Sequence, residues 1–253
     1  SPASVVLGTT PPGSLTLPAP QVTETVAHTR RVTLSGVSGE GTLTVGVAVD
    51  TARDEAGNQA AAASAAPVDI DTVAPVVVVS GPSTPQTTSG PVTFTVTVSG
   101  DLAGGLNTGL VTPVYTGDVT ATFAVEETGA AQWTATFSGV SGDGTLSVGV
   151  AVGAAVDAAG NASAVAAAPS AATVDNTGPS VTLTSGPDPA LANAASSVRY
   201  EVAYADSLAV TVSLSPADIT VNRPAEMPAP TVDVESGGSP NARVITLTNL
   251  QGE

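Results

Sequence analysis

Residues 35–58 read SGVSGEGTLTVGVAVDTARDEAGN, and residues 138–161 read SGVSGDGTLSVGVAVGAAVDAAGN. The copies share one frame without a gap, displaced by 138 − 35 = 103 residues. A fixed period of domain length marks tandem modules, so this repeat decides the fold before any single site does. In the second copy Leu146, Val148, Val150 and Val152 alternate with Ser147, Gly149 and Ala151, and Leu43, Val45, Val47 and Val49 alternate in the same way in the first. A period of two sends one set of side chains into a core and the other outward, which is the signature of a β-strand. A Gly-acid-Gly turn precedes each strand, where glycine permits positive φ. A D-x-A-G-N loop follows each strand, at Asp54–Asn58 and Asp157–Asn161.

Moving outward, the phrase VDIDTVAP at Val68–Pro75 returns as TVDNTGP at Thr173–Pro179. Asp71 and Asp175 each stand four residues before a proline. Proline fixes φ and biases its predecessor toward extended backbone, so both phrases read as semi-rigid joints. They divide the chain into a partial repeat over 1–75, a complete one over 76–179 and a partial one over 180–253.

In the complete repeat, strands are expected at Val76–Ser80, Val92–Val98, Val119–Val125, Gln132–Ser138, Thr145–Val152 and Ala171–Val174. The Gly-rich connection Gly100–Thr116 has room for one more. Short strands at this spacing, punctuated by turns, predict an all-β fold of tandem Ig-like Greek-key β-sandwich modules of about 100 residues each. In the third repeat Val198, Tyr200, Val202 and Tyr204 take the alternation of Val92 to Val98, and Arg243–Glu253 matches Arg30–Glu40. The early part, Ser1–Ala27, carries two short apolar runs, Ser4–Leu7 and Ser14–Leu17, that read as remaining strands of a broken module or as a linker. With no initiator Met at Ser1, the sequence reads as a segment of a longer protein.

Composition narrows the chemistry. The 253 residues carry a formal charge of −16 and no Cys, and the six basic residues are all Arg. Disulfides, thiolate chemistry, Schiff bases and a P-loop lysine are therefore excluded. So acidic a chain argues against nucleic acid and anionic membranes as partners, and no apolar run approaches a membrane span. The sole His, His28, sits beside Arg30 and Arg31, and no nucleophile elbow is present, so an enzyme is not expected. Glu126 and Glu127 are adjacent carboxylates that a strand would point to opposite faces. Thr93, Thr95 and Thr97 form an outward row of the kind favoured on exposed strand faces. Trp133 takes the place of Arg30 and Arg243, which reads as a rim aromatic or a contact with a neighbour rather than a core residue shared by all modules. Asn161-Ala162-Ser163 matches the glycosylation acceptor pattern.

A metal is the sharpest site expectation. A hard cation such as Ca²⁺ takes six to eight oxygens, which clustered carboxylates supply. Candidates are Asp50, Asp54, Asn58, Asp69 and Asp71 at the first joint and Asp157, Asn161, Asp175 and Asn176 at the second. Asp101 and Asp206, each just after an opening strand, are candidates from the adjacent module. In the competing reading, these side chains cap turns by bonding their own backbone, and no contiguous calcium loop is present.

The phrases G-[DE]-G-T-L-x-V-x-[VI], D-x-A-G-N and V-D-x-T-x-P together resemble the bacterial Ig-like repeats of large surface proteins and adhesins. Val73 departs from that pattern where Thr177 keeps it. The resemblance implies an extracellular stalk at the bacterial cell surface, whose partners are neighbouring repeats of the same protein, with Ca²⁺ at or near the joints. The broken outer modules suggest a second expectation. A strand from one copy's N-terminal segment would fill the open groove of another's last module, giving a head-to-tail filament or surface layer.

Overall fold

The computed structural model describes residues 4–100, 102–188, 192 and 196–250. The architecture is all-β, and its sheets fall into three sequence blocks with no β-ladder joining one block to the next among the described residues. Among the described residues no helix is long and apolar enough to cross a membrane.

The first block contains β1 (Val5–Thr10), β2 (Leu15–Thr16), β3 (Gln21–Val26), β4 (Thr29–Thr33), β5 (Ser38–Val47), β6 (Ala63–Ser64) and β7 (Val68–Asp71). The first copy of the repeated stretch supplies β5, with which β1, β2, β6 and β7 all pair antiparallel. The apolar runs near the start are therefore strands, of which β1 extends three residues beyond the expected Leu7. Leu15 and Leu43 are buried, but Val47 and Val68 are exposed. The β3–β4 hairpin pairs with neither neighbour and is exposed at nearly every position. His28 turns that hairpin at φ 65°.

The second block holds the main core. Its strands are β8 (Val76–Val79), β9 (Gln86–Thr87), β10 (Val92–Ser99), β11 (Val111–Gly117), β12 (Thr120–Gly129), β13 (Gln132–Ser141), β14 (Gly144–Val150) and β15 (Ala172–Val174). They form two four-stranded sheets, ordered β12-β13-β10-β8 and β11-β14-β15-β9. The opening segment is shared between them, because β8 pairs antiparallel with β10 while β9 runs parallel to β15. Alternation explains the stacking: Val92, Phe94 and Val96 of one sheet and Leu146, Val148 and Val174 of the other are almost wholly buried. Phe137 is the hub, edge-on to Phe94 and to Tyr115 at 5.8 Å each, and tilted against Phe123 at 4.8 Å. Tyr115 belongs to the opposite sheet, so this cluster ties the two layers. Aromatic pairs of this kind contribute about 0.5–1.5 kcal/mol each beyond area burial.

As expected, the Gly-rich connection contains one more strand, β11, whose residues Val111–Gly117 pair with β14 along its whole length and run one residue past Thr116. Trp133 is not at the rim: it lies opposite Val96 and is 3% exposed, inside the core.

The third block has β16 (Ser180–Asp188), β17 (Val198–Ala205), β18 (Thr231–Ser236) and β19 (Ala242–Thr248), in the sheet order β16-β17-β19-β18. Its register repeats that of β8, β10, β13 and β12. Val181 faces Tyr204 as Val77 faces Val98, and Ile245 faces Tyr200 as Ala135 faces Phe94. Arg243 occupies the register of Trp133 and donates from Nη2 to the carbonyl of Val212 at 2.9 Å. The alternating apolar segment from Leu208 to Leu214 is half-buried at Leu208, Val210, Val212 and Leu214, with no ladder partner among the described residues.

Candidate functional site

The repeated D-x-A-G-N loops close in the same way in both copies. Asp54 Oδ1 accepts from the Asn58 amide at 2.9 Å, and Asp54 Oδ2 accepts from Asn58 Nδ2 at 2.8 Å. Asp157 Oδ1 accepts from the Asn161 amide and Oδ2 from Asn161 Nδ2, both at 2.8 Å. The Gly57 amide donates to the Asp54 carbonyl, as the Gly160 amide does to that of Asp157. Asn therefore follows Gly because its amide and side chain together saturate one carboxylate four residues back. Both carboxyls are held below the ordinary carboxylate range. At Asp54 the Asn58 side chain is the largest cause. At Asp157, 3% exposed, desolvation pushes upward and is the largest single influence, but the bonds from Asn161, Gly160 and Ala159 together outweigh it.

Asn161 does one thing that Asn58 is not seen to do. Its Nδ2 also donates to the carbonyl of Asp71 at 3.2 Å, so the loop of the second block grips the linker leaving the first. The same grip leaves the glycosylation pattern inaccessible, since Asn161 is half-buried with its amide engaged and Ser163 is fully buried.

The second joint is clasped from both sides. Asp175, 8% exposed, accepts the Thr177 amide at 3.0 Å through Oδ1, and its Oδ2 accepts the hydroxyl of Ser207 from the third block. Asp143, in the turn before β14, accepts the Asn176 amide at 2.6 Å and the Thr177 hydroxyl. Asn176 Nδ2 donates to the Thr88 carbonyl. The Thr177 hydroxyl is the main reason that the Asp143 carboxyl is held below its ordinary range. Asp118 stacks the turn further by accepting the Asp143 amide at 2.7 Å. At the first joint the corresponding turn is fastened differently: Thr72 Oγ1 accepts the Gly39 amide at 2.8 Å and donates to its carbonyl at 3.2 Å.

The remaining candidates are scattered. Asp50 pairs with Arg53 at 2.5 Å, and Asp69 accepts the Thr42 hydroxyl at 3.0 Å. Asp71 Oδ1 accepts the Val73 amide at 3.0 Å, a turn cap like that of Asp175 on Thr177. Asp206 lines a cleft at the second joint with Asp143, Thr177, Gly178 and Ser207, and its Oδ1 accepts from the Leu208 amide at 3.3 Å. Asp101 lies outside the described residues.

Among the described residues no three His, Asp or Glu side chains converge as a metal set. Both oxygens of Asp54, Asp143, Asp157 and Asp175 accept hydrogen bonds from the chain, so these side chains cap turns and clasp linkers.

Asp143, Asp118 and Ser207 were not among the sequence candidates, although Asp143 sits inside the repeated frame. The signal available was the Gly-acid-Gly turn itself: a carboxylate flanked by two glycines, kept acidic in both copies. Compared with known proteins, the chain matches no protein-family model and no curated sequence.

Proposed function

We propose that this chain is a structural spacer: part of an extracellular array of Ig-like Greek-key modules in a bacterial cell-surface protein or adhesin. Support for the Ig-like reading comes from the second block, whose order β8-β10-β13-β12 stacked on β9-β15-β14-β11 is the arrangement of such sandwiches. Support for the spacer reading comes from one observation above all. Each linker is tied by hydrogen bonds to the block that follows it, by Asn161 on the Asp71 carbonyl and by Ser207 on Asp175. Bonds of this kind limit bending between blocks, so that repetition yields reach. The acidic charge keeps such a surface soluble and disfavours nucleic acid and anionic membranes as partners. The bonding partners are the neighbouring repeats.

Antibodies raised against the chain test the location. They are expected to label intact cells of the source organism; labelling only after permeabilisation would overturn the surface reading.

A further inference from the structure

The two joints are built alike but held differently. Asp71-Thr72-Val73-Ala74-Pro75 and Asp175-Asn176-Thr177-Gly178-Pro179 align residue for residue. At the first joint Ala74 is half-buried and Pro75 is buried, so the link itself is packed. At the second, Thr177 is fastened to Asp143 of the second block and β16 begins at Ser180, which leaves Gly178 and Pro179 between them, both exposed. A Cβ placed on Gly178 would meet no heavy atom within 4 Å beyond its chain neighbours, so nothing there restrains the backbone by contact. Glycine also keeps conformations that a following proline denies to other residues, a freedom that Ala74 lacks.

A side chain of the third block spans this free segment. Ser207 donates to Asp175 Oδ2, and its Oγ also lies 3.2 Å from Asp206 Oδ1. The hydroxyl has one proton for two carboxylates that approach from opposite sides of the joint. In the second block Leu102 follows Asp101 as Ser207 follows Asp206, but Leu102 packs against the core and offers no hydroxyl to the first joint.

We infer that the second joint is a hinge, with Gly178 as its pivot and the Ser207 hydroxyl as its latch. The cleft beside the latch is lined by Asp143 and Asp206 and, among the described residues that line it, by no basic side chain. Like charges so close repel, and salt screens them. Loss of the hydroxyl therefore leaves the repulsion unopposed, and the third block swings about Gly178 while the first joint stays packed. Bending of the chain is concentrated at one of its two joints.

This inference rests on the spacer reading. Electron–electron distances on the 253-residue chain test it, with labels across the second joint at Glu126→Cys and Glu235→Cys and across the first at Ser64→Cys and Glu126→Cys, all exposed. Ser207→Ala is expected to broaden the distribution across the second joint only, and more at low than at high sodium chloride. Adding Gly178→Ala is expected to narrow it again, because alanine before a proline is held to extended backbone. That recovery also shows that the third block remains folded in Ser207→Ala, while Trp133 fluorescence reports on the second. A second joint unchanged in Ser207→Ala, or just as broad once Gly178→Ala is added, overturns the hinge and leaves the spacer reading standing. Broad distributions across both joints with Ser207 in place overturn the spacer reading and the latch together.

Discussion

Asn161 Nδ2 reaches 3.2 Å from the carbonyl of Asp71, a residue 90 positions earlier in the chain and on the other side of a joint. The same side chain also closes its own loop on Asp157, so one residue couples loop shape to linker position. Asn58 makes the loop-closing bonds, with no bond across a joint seen for it. Asn161→Ala is therefore expected to loosen the first joint, whereas Asn58→Ala perturbs only its own loop. The bond to the Asp71 carbonyl contributes about 0.5–1.5 kcal/mol net. Nuclear spin relaxation of the blocks reads the difference: the first and second should tumble together in Asn58→Ala and more independently in Asn161→Ala.

Acid should release the second joint through Asp143. Its folded value lies below the ordinary 3.8, so the clasp on Asn176 and Thr177 is complete above that value. The stabilisation wanes as pH falls below 3.8 and is gone once pH passes below the depressed folded value. Asp143→Asn should remove this acid dependence, leaving whatever slope the other carboxylates contribute. Stability measured across pH 2 to about 6 checks both statements.

Periodicity made much of this legible. Alternation placed β10 and β14 to within two residues at each end, because a half-buried strand leaves a period of two in the chain. The strand β11 was harder, since Pro113 and the preceding glycines mask its alternation, and its place follows only from pairing with β14. Trp133 was misplaced because its counterparts are Arg30 and Arg243, which a shared core would not admit. Those counterparts sit in blocks whose stack is open, where Arg30 is free to pair with Glu24 at 2.9 Å. At the joints, the acidic residues were visible but their partners were not. Which donor meets a carboxylate depends on turns such as that linking Asp143 to Thr177, 34 residues away.

The closed core of the second block and the open one of the first should respond differently to the same truncation. Leu146 is fully buried, and Leu146→Ala is expected to cost about 2–5 kcal/mol. Leu43 holds the same register beside an open face, so Leu43→Ala should cost less. Denaturation followed by Trp133, the sole tryptophan, isolates the second block: Leu146→Ala shifts its midpoint and Leu43→Ala leaves it in place.

Gly144 has φ 147°, and a Cβ there would stand 2.2 Å from the Thr116 carbonyl oxygen. Backbone cannot retreat as a flexible side chain can. Gly144→Ala is expected to destabilise the second block by more than about 1 kcal/mol, read in the same denaturation experiment.

Calcium should leave the protein unchanged. With both oxygens of Asp54, Asp143, Asp157 and Asp175 accepting hydrogen bonds from the chain, the thermal midpoint is expected to be the same in excess Ca²⁺ and in excess chelator. A rise of several degrees with Ca²⁺ would show binding to the native state and return the joint carboxylates to the role of ligands.

In the proposed spacer, clasped linkers hold successive blocks in fixed relation. A chain with no native Cys allows spin labels at two chosen positions only. Electron–electron distance measurement between labels at Glu126→Cys and Glu235→Cys, both exposed and on either side of the second joint, tests it most directly. A single narrow distance distribution, broadened by Asp143→Asn, is the predicted result. A broad distribution in the otherwise native chain would contradict the claim.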